Sequence, residues 1–239
     1  QRLRVFPAPA DAAIQLTPPC TTIEKTEVWW VCASGVETDS ARAQVALIGD
    51  SHAGHFRPAM STVGDSLRLR VWSITRSGCP FSTLRPKLEK QRSDDCMAWS
   101  AHVVAWLTDH SDVHTVFLSA HSGAAVVAPR GRDHFKAKVD GYEGAIRSLP
   151  ASVRNVVILR DVPRNPVKVS SCVMRAITKG KPAGEACQIR KGDVLGRDAE
   201  VYAAARLKSA RVNVVDLTSF MCGRQFCRPV VGGVLVHRD

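Results

Sequence analysis

Five short, nearly uninterrupted apolar runs recur from residue 44 onward: Gln44–Gly49, Leu69–Thr75, His114–Ser119, Asn155–Arg160 and Val212–Leu217. Each is rich in Val, Ile or Leu and lacks the strict alternation of a half-buried strand, which is the pattern of strands covered on both faces. Longer segments with helical spacing separate them, at about residues 52–66, 95–110, 135–149 and 194–210. Val103, Val104, Trp106 and Leu107 recur at three-to-four spacing in the second. Val201, Ala204, Ala205 and Lys208 do so in the fourth, with Asp193 as its expected N-cap. Strand–helix alternation repeated four times requires right-handed crossovers and a parallel sheet with helices on both faces. The expected fold class is therefore α/β, a three-layer α/β/α domain with a central five-stranded parallel sheet.

Residues 1–43 are rich in Pro, Thr and polar side chains and show no sustained period. They read as an N-terminal extension or linker pinned by a disulfide, with Trp29-Trp30-Val31 as one short strand or packed patch. The remainder, 44–239, reads as the main domain. Pro163, Pro166, Gly180, Pro182 and Gly184 interrupt it over 162–193, a loop insertion long enough to be a lid or a decoration.

Hydrophobic residues make up 45% of the 239, enough for a core. No run approaches the ~18 apolar residues of a spanning helix, and Gln1-Arg2-Leu3-Arg4-Val5 lacks a signal-peptide pattern. The eight cysteines change the picture more. They fall in four sequential pairs, Cys20 and Cys32, Cys79 and Cys96, Cys172 and Cys187, Cys222 and Cys227, each bracketing a Pro-, Gly- or charge-rich stretch. Eight cysteines allow on the order of 100 connectivities, so neighbour pairing is an expectation only. The absence of Cys-x-x-Cys spacing argues against zinc, and disulfides imply an oxidising, extracytoplasmic compartment. The net charge of +11 is spread along the chain without interleaved aromatics, which disfavours nucleic acid and leaves a soluble basic surface or an anionic envelope partner.

Ligands of open parallel sheets bind beyond the carboxyl ends of the strands. The first run ends in Gly49-Asp50-Ser51-His52 and passes straight into a helical segment. A serine there holds its hydroxyl at the sheet edge, and its N–H is an unpaired helix-terminal donor, an arrangement suited to a nucleophile whose attack creates an oxyanion. An Asp/Ser helix cap explains the same residues equally well.

Gly49-Asp50-Ser51 after an apolar strand resembles the first block of the SGNH (GDSL-type) hydrolases, whose fold is the flavodoxin-like three-layer arrangement. Gly78, in Ser77-Gly78-Cys79-Pro80 after the second run, matches the oxyanion glycine of the second block. The third block ordinarily supplies an Asn; here Ser119-Ala120-His121-Ser122-Gly123 puts His121 in its place, and an imidazole N–H is also a donor. Asp239 matches the Asp of the closing Asp-x-x-His block, whose His falls three residues past the last residue given. The wording narrows the resemblance to the SGNH domain fused behind the multi-pass membrane domain of acyltransferase-3 proteins, over about residues 40–239. It is carried by Ser77-Gly78-Cys79-Pro80-Phe81, Cys96 with Trp99, and Cys227-Arg228-Pro229-Val230-Val231-Gly232-Gly233 onward. His237 stands where that subgroup usually has an aromatic residue.

The resemblance implies an O-acyltransferase that moves an acyl group, acetyl foremost, through a Ser51 acyl-enzyme to a cell-envelope carbohydrate or glycolipid. Ser51 and Asp239 are the implied catalytic residues, Ser51, Gly78 and His121 the oxyanion donors, and Asp50 and His52 their neighbours. It implies no cofactor, a membrane acyltransferase domain as partner in the same natural chain, and near-inertness of the sequence as given. A free-standing carbohydrate esterase and a non-catalytic glycan-binding or scaffolding domain are the alternatives. His52 and His55, one turn apart, lack the further ligands that a metal site needs. His237, two residues before Asp239, is a poor substitute base because base and orienting acid must meet within hydrogen-bond reach.

Overall fold

A computed structural model describes residues 4–11, 20–164 and 168–236. In chain order its strands are β1 (Thr21–Lys25), β2 (Trp30–Gly35), β3 (Ala43–Gly49), β4 (Leu69–Thr75), β5 (Val113–Ser119), β6 (Asn155–Leu159), β7 (Ile189–Arg190), β8 (Val212–Val215), β9 (Phe226–Cys227), β10 (Val230–Val231) and β11 (Val234–Leu235). Its helices are α1 (Ser51–His55), α2 (Arg57–Leu67), α3 (Lys90–Asp109), α4 (His134–Ser148), α5 (Val169–Thr178), α6 (Ala183–Ala186), α7 (Lys191–Val194), α8 (Ala199–Leu207) and α9 (Thr218–Met221). The chain divides into two compact units. The larger comprises residues 17–161 and 198–215, the smaller 1–16, 162–197 and 216–239.

The larger unit is built on a seven-stranded sheet in the order β1-β2-β4-β3-β5-β6-β8. The five runs read from the sequence form its parallel part, β4-β3-β5-β6-β8. Alternate residues of β3 feed two cores. Ala46 and Ile48 pack with Trp99, Val103 and Leu107 of α3 and Ile146 of α4, whereas Val45 and Leu47 pack with Ala53 of α1 and Met60 of α2. Helices thus cover both faces, and the expected three layers are present.

The sheet is two strands larger than the expected five. The additional strands β1 and β2 pair antiparallel, and β2 pairs antiparallel with β4. Both lie within residues 1–43, expected to be an extension outside the core; the Trp29–Val31 patch is the part of that reading that survives. Cys32 and Ala33 are small and Val31 fully buried, so β2 adds a covered strand without a conspicuous hydrophobic run. Arg57 explains part of its attachment. Its buried guanidinium donates to Ser73 Oγ (3.1 Å) and Thr75 Oγ1 (2.6 Å) on β4 and lies 4.7 Å from the ring centroid of Trp30 on β2.

Two helix boundaries also differ from expectation. The single helix expected over 52–66 is divided at Phe56, because Pro58 has no N–H to donate and its ring crowds the carbonyl four residues back. The helix expected over 194–210 is α8, capped by Asp198 and not by Asp193: the Asp198 carboxylate accepts from Glu200 N and Val201 N. Asp193 belongs to the short helix α7.

Residues 162–193, expected as a loop insertion, carry α5, α6, β7 and the start of α7 and fall within the smaller unit. Val169 and Val173 of α5, Ala183 of α6, Val230 and Leu235 form a separate apolar cluster. The four disulfides join sequence neighbours: Cys20–Cys32, Cys79–Cys96, Cys172–Cys187 and Cys222–Cys227. Among the described residues no helix is long and apolar enough to cross a membrane.

Gly49 is the tightest point of the sheet edge. Its φ is +147°, and a Cβ there would lie 1.9 Å from the Ser119 carbonyl oxygen and 2.9 Å from Ala53 Cβ. Only glycine allows β3 to turn into α1 against the end of β5. Gly49→Ala is expected to destabilise the protein by about 3 kcal/mol or more, read as a lowered chemical-denaturation midpoint.

Candidate active site

Parallel register brings the carboxyl ends of the central strands level. Gly49 of β3 is paired with Thr75 of β4 on one side and Ser119 of β5 on the other, and Leu118 of β5 with Ile158 of β6. The residues that follow these ends therefore gather along one edge: Asp50-Ser51-His52, Ser77-Gly78, Ala120-His121-Ser122 and Arg160-Asp161. Ser51 is the first residue of α1 and is exposed. Gly78, at φ +76°, forms the turn after β4, and Cys79–Cys96 ties that turn to α3. Asp239 and His237, singled out in the sequence, lie outside the described residues.

Asp50 is 1% exposed and is the N-cap of α1. One carboxylate oxygen accepts from His52 N (2.8 Å), the other from His121 N (2.9 Å). The capping role read from the sequence is therefore real, and the same side chain binds the loop after β5. Burial pushes the Asp50 carboxyl above its ordinary value, opposed by those two N–H groups and the His52 ring.

Asp161, directly after β6, makes a second such bridge. One oxygen pairs with His52 Nδ1 at 2.5 Å and the other accepts from Ser122 N at 2.8 Å. Burial alone would raise this carboxyl; the His52 hydrogen bond and charge, with Ser122, hold it below its usual value. The His52 ring lies between those of His121 and His55, at centroid distances of 4.4 and 5.0 Å. The structure thus links Asp50, His52 and His121 beside Ser51, and places Gly78 in the turn after the neighbouring strand β4. It adds Asp161, which went unnoticed although it follows the fourth apolar run at the edge where ligands bind.

Further carboxyls lie behind this edge. Asp198 accepts from Asp161 N (2.9 Å), and Glu200, 2% exposed, accepts from Ala120 N while its Oε2 has no partner. Burial raises Asp198 and, far more, Glu200, whose neighbours Asp198, Asp50 and Asp161 push it the same way. Lys138 is the nearby cation, donating to Ser122 O at 2.6 Å. Among the described residues no group of three or more His, Cys, Asp or Glu side chains is arranged to hold a metal ion.

The sequence matches the family described as "SGNH domain (fused to AT3 domains)" over residues 19–239, and the chain belongs to that family. The expected family and fold class both hold. Among solved structures it is similar to the periplasmic domain of a lipopolysaccharide acetyltransferase from Salmonella ser. Paratyphi A, with TM-score 0.57 and 12% identity over 83% of this chain and 78% of that one. A second neighbour, the LpqC poly(3-hydroxybutyrate) depolymerase of Bordetella parapertussis, has 12% identity over 88% of each chain but a TM-score of 0.38, too low to bear on the fold. No curated protein matches the sequence.

Glu200→Gln keeps an acceptor for the Ala120 N–H and removes the ionisable group. A carboxyl raised in the folded state binds more protons there than in the unfolded chain, so the native protein loses stability as pH climbs past the unfolded value of about 4.3. The stability of the variant relative to the parent, measured by urea unfolding, is expected to rise as pH climbs above the unfolded value, and to level off once Glu200 ionises in the folded state as well. A gap that stays constant with pH would mean that Glu200 ionises normally.

Proposed function

We propose that the chain is the acyl-transferring domain of an extracytoplasmic O-acyltransferase, with Ser51 as nucleophile and a hydroxyl of a cell-envelope carbohydrate or glycolipid as acceptor. The observation that carries this reading is Ser51 itself, an exposed serine on the capped turn leaving β3, in a chain of the SGNH family. The lipopolysaccharide acetyltransferase neighbour supports acetyl as the transferred group and a glycolipid as acceptor. Four disulfides support an oxidising compartment, and the fusion in the family's description supports a membrane acyltransferase domain as donor partner.

In the first half-reaction Ser51 Oγ attacks the acyl carbonyl carbon while its proton passes to a histidine base oriented by Asp239. The bond to the leaving group breaks as that group takes the proton. In the second half the acceptor hydroxyl gives its proton to the same base and attacks the acyl carbon; the bond to Ser51 Oγ breaks and Ser51 takes that proton back. Water in place of the acceptor makes the same site an esterase. Ser51 N–H, Gly78 N–H and the His121 ring are the proposed oxyanion donors, each worth about 3 kcal/mol of barrier stabilisation. The main-chain N–H groups of His121 and Ser122 are already bonded to Asp50 and Asp161, so this loop acts through its imidazole.

The His52–Asp161 pair favours a second assignment of the base. A carboxylate on Nδ1 fixes the tautomer that leaves Nε2 basic, as in hydrolase triads. Labelling the natural full-length protein with a serine-reactive fluorophosphonate separates the two. Ser51 is expected to be modified and Ser51→Ala to abolish the label. Asp239→Asn is expected to slow labelling by orders of magnitude, on the order of 10⁴, with Asp161→Asn costing far less. The reverse ranking would make His52 the base, and no label on folded protein would remove the enzymatic reading.

A further inference from the structure

The smaller unit holds a disproportionate share of the chain's charge. Residues 1–16, 162–197 and 216–239 contain 13 Lys and Arg against five Asp and Glu, a net +8 of the chain's +11. Within it α9, β9 and the loop between them form an open groove of about 930 Å³. Its lining includes Arg224, Arg228, Gln188, Gln225, Phe220 and Phe226, and no Asp or Glu.

The groove is rigidly framed. Cys222–Cys227 closes the loop, Gly223 N donates to Phe226 O at 2.8 Å, and Lys191 N donates to Gln225 O at 2.8 Å. Arg190, paired with Phe226 across the β7–β9 ribbon, adds a cation beside it. Phe220 lines the groove and is 73% exposed, so its ring face is open to an occupant. Arg224 makes no ion pair among the described residues, and Arg228 has only Glu185, at 3.8 Å.

We propose that this groove binds an acidic oligosaccharide. Guanidinium forks match carboxylate or phosphate oxygens in a plane, and the glutamine amides offer both donors and acceptors to hydroxyls. The phenyl faces cover the C–H side of a sugar ring. An anionic lipid surface would use the charge but has no need of paired glutamines in a framed groove. The groove shares no residue with the Ser51 edge, and its binding does not depend on Ser51 being reactive.

Calorimetric titration of the protein tests this with three octasaccharides: octagalacturonate, phosphorylated maltooctaose and neutral maltooctaose. At least one acidic probe is expected to bind and the neutral one to bind at least tenfold more weakly, with affinity falling as salt rises. Arg224→Ala and Arg228→Ala are each expected to weaken binding about tenfold, the equivalent of ~1.4 kcal/mol, and Phe220→Ala several-fold. These side chains are exposed, so circular dichroism should be unchanged. Ser51→Ala should bind as the parent does, which keeps a failure here distinct from a failure of the acyl-enzyme reading. Binding of neither acidic probe, equal binding of neutral maltooctaose, or an Arg224→Ala/Arg228→Ala double variant that binds undiminished would overturn the proposal. So would Arg224- and Arg228-dependent sedimentation with phosphatidylglycerol vesicles in place of oligosaccharide binding.

Discussion

The carboxylate of Asp161 is the junction on which the candidate site depends. It holds His52 of α1 through one oxygen and the loop after β5 through the other, while its own backbone N–H is held by the Asp198 side chain. Asp50 repeats the device from the opposite direction, capping α1 and binding the same loop. Each carboxylate satisfies main-chain donors that would otherwise be left unpaired near a helix start and a strand end, where orphaned groups are costly. The two together fix the serine turn to its neighbouring loop through side chains.

The parallel part of the sheet was legible because strands buried on both faces cannot hide their composition. β3, β4, β5, β6 and β8 each start or end within two residues of an apolar run. β1 and β2 were not legible for the opposite reason. β1 is exposed along its whole length, and β2 is buried through Cys32, Ala33 and Ser34, side chains too small to raise a hydrophobic signal. What secures β2 is tertiary: its pairing with β4, the Cys20–Cys32 bridge and the Arg57–Trp30 contact. No window of sequence contains those partners together.

The candidate site divides along the same line. Gly49-Asp50-Ser51 and Gly78 were readable because each belongs to a local turn whose geometry restricts the residue. Asp161 and Glu200 were not, since nothing adjacent in sequence marks a buried carboxyl. Asp161 and His52 are 109 residues apart and meet only because β3, β5 and β6 end level. Asp193 illustrates the converse error. It stands at a suitable distance before a helical pattern, but Asp198 is nearer the first turn of α8 and takes the cap.

Four carboxyls within one buried neighbourhood raise a question of charge. Asp50, Asp161, Asp198 and Glu200 lie near a single lysine, Lys138, and four ionised groups there would repel one another strongly in a medium less polarisable than water. The hydrogen bonds divide the burden unequally. Asp50, Asp161 and Asp198 each accept from two or more donors, which favours their charged forms. Glu200 has one backbone donor and an oxygen with no partner, so burial and its acidic neighbours push its carboxyl well above the ordinary value. A protonated Glu200 removes one charge from the cluster and so favours the ionised form of Asp161, the one of the four carboxyls held below its ordinary value.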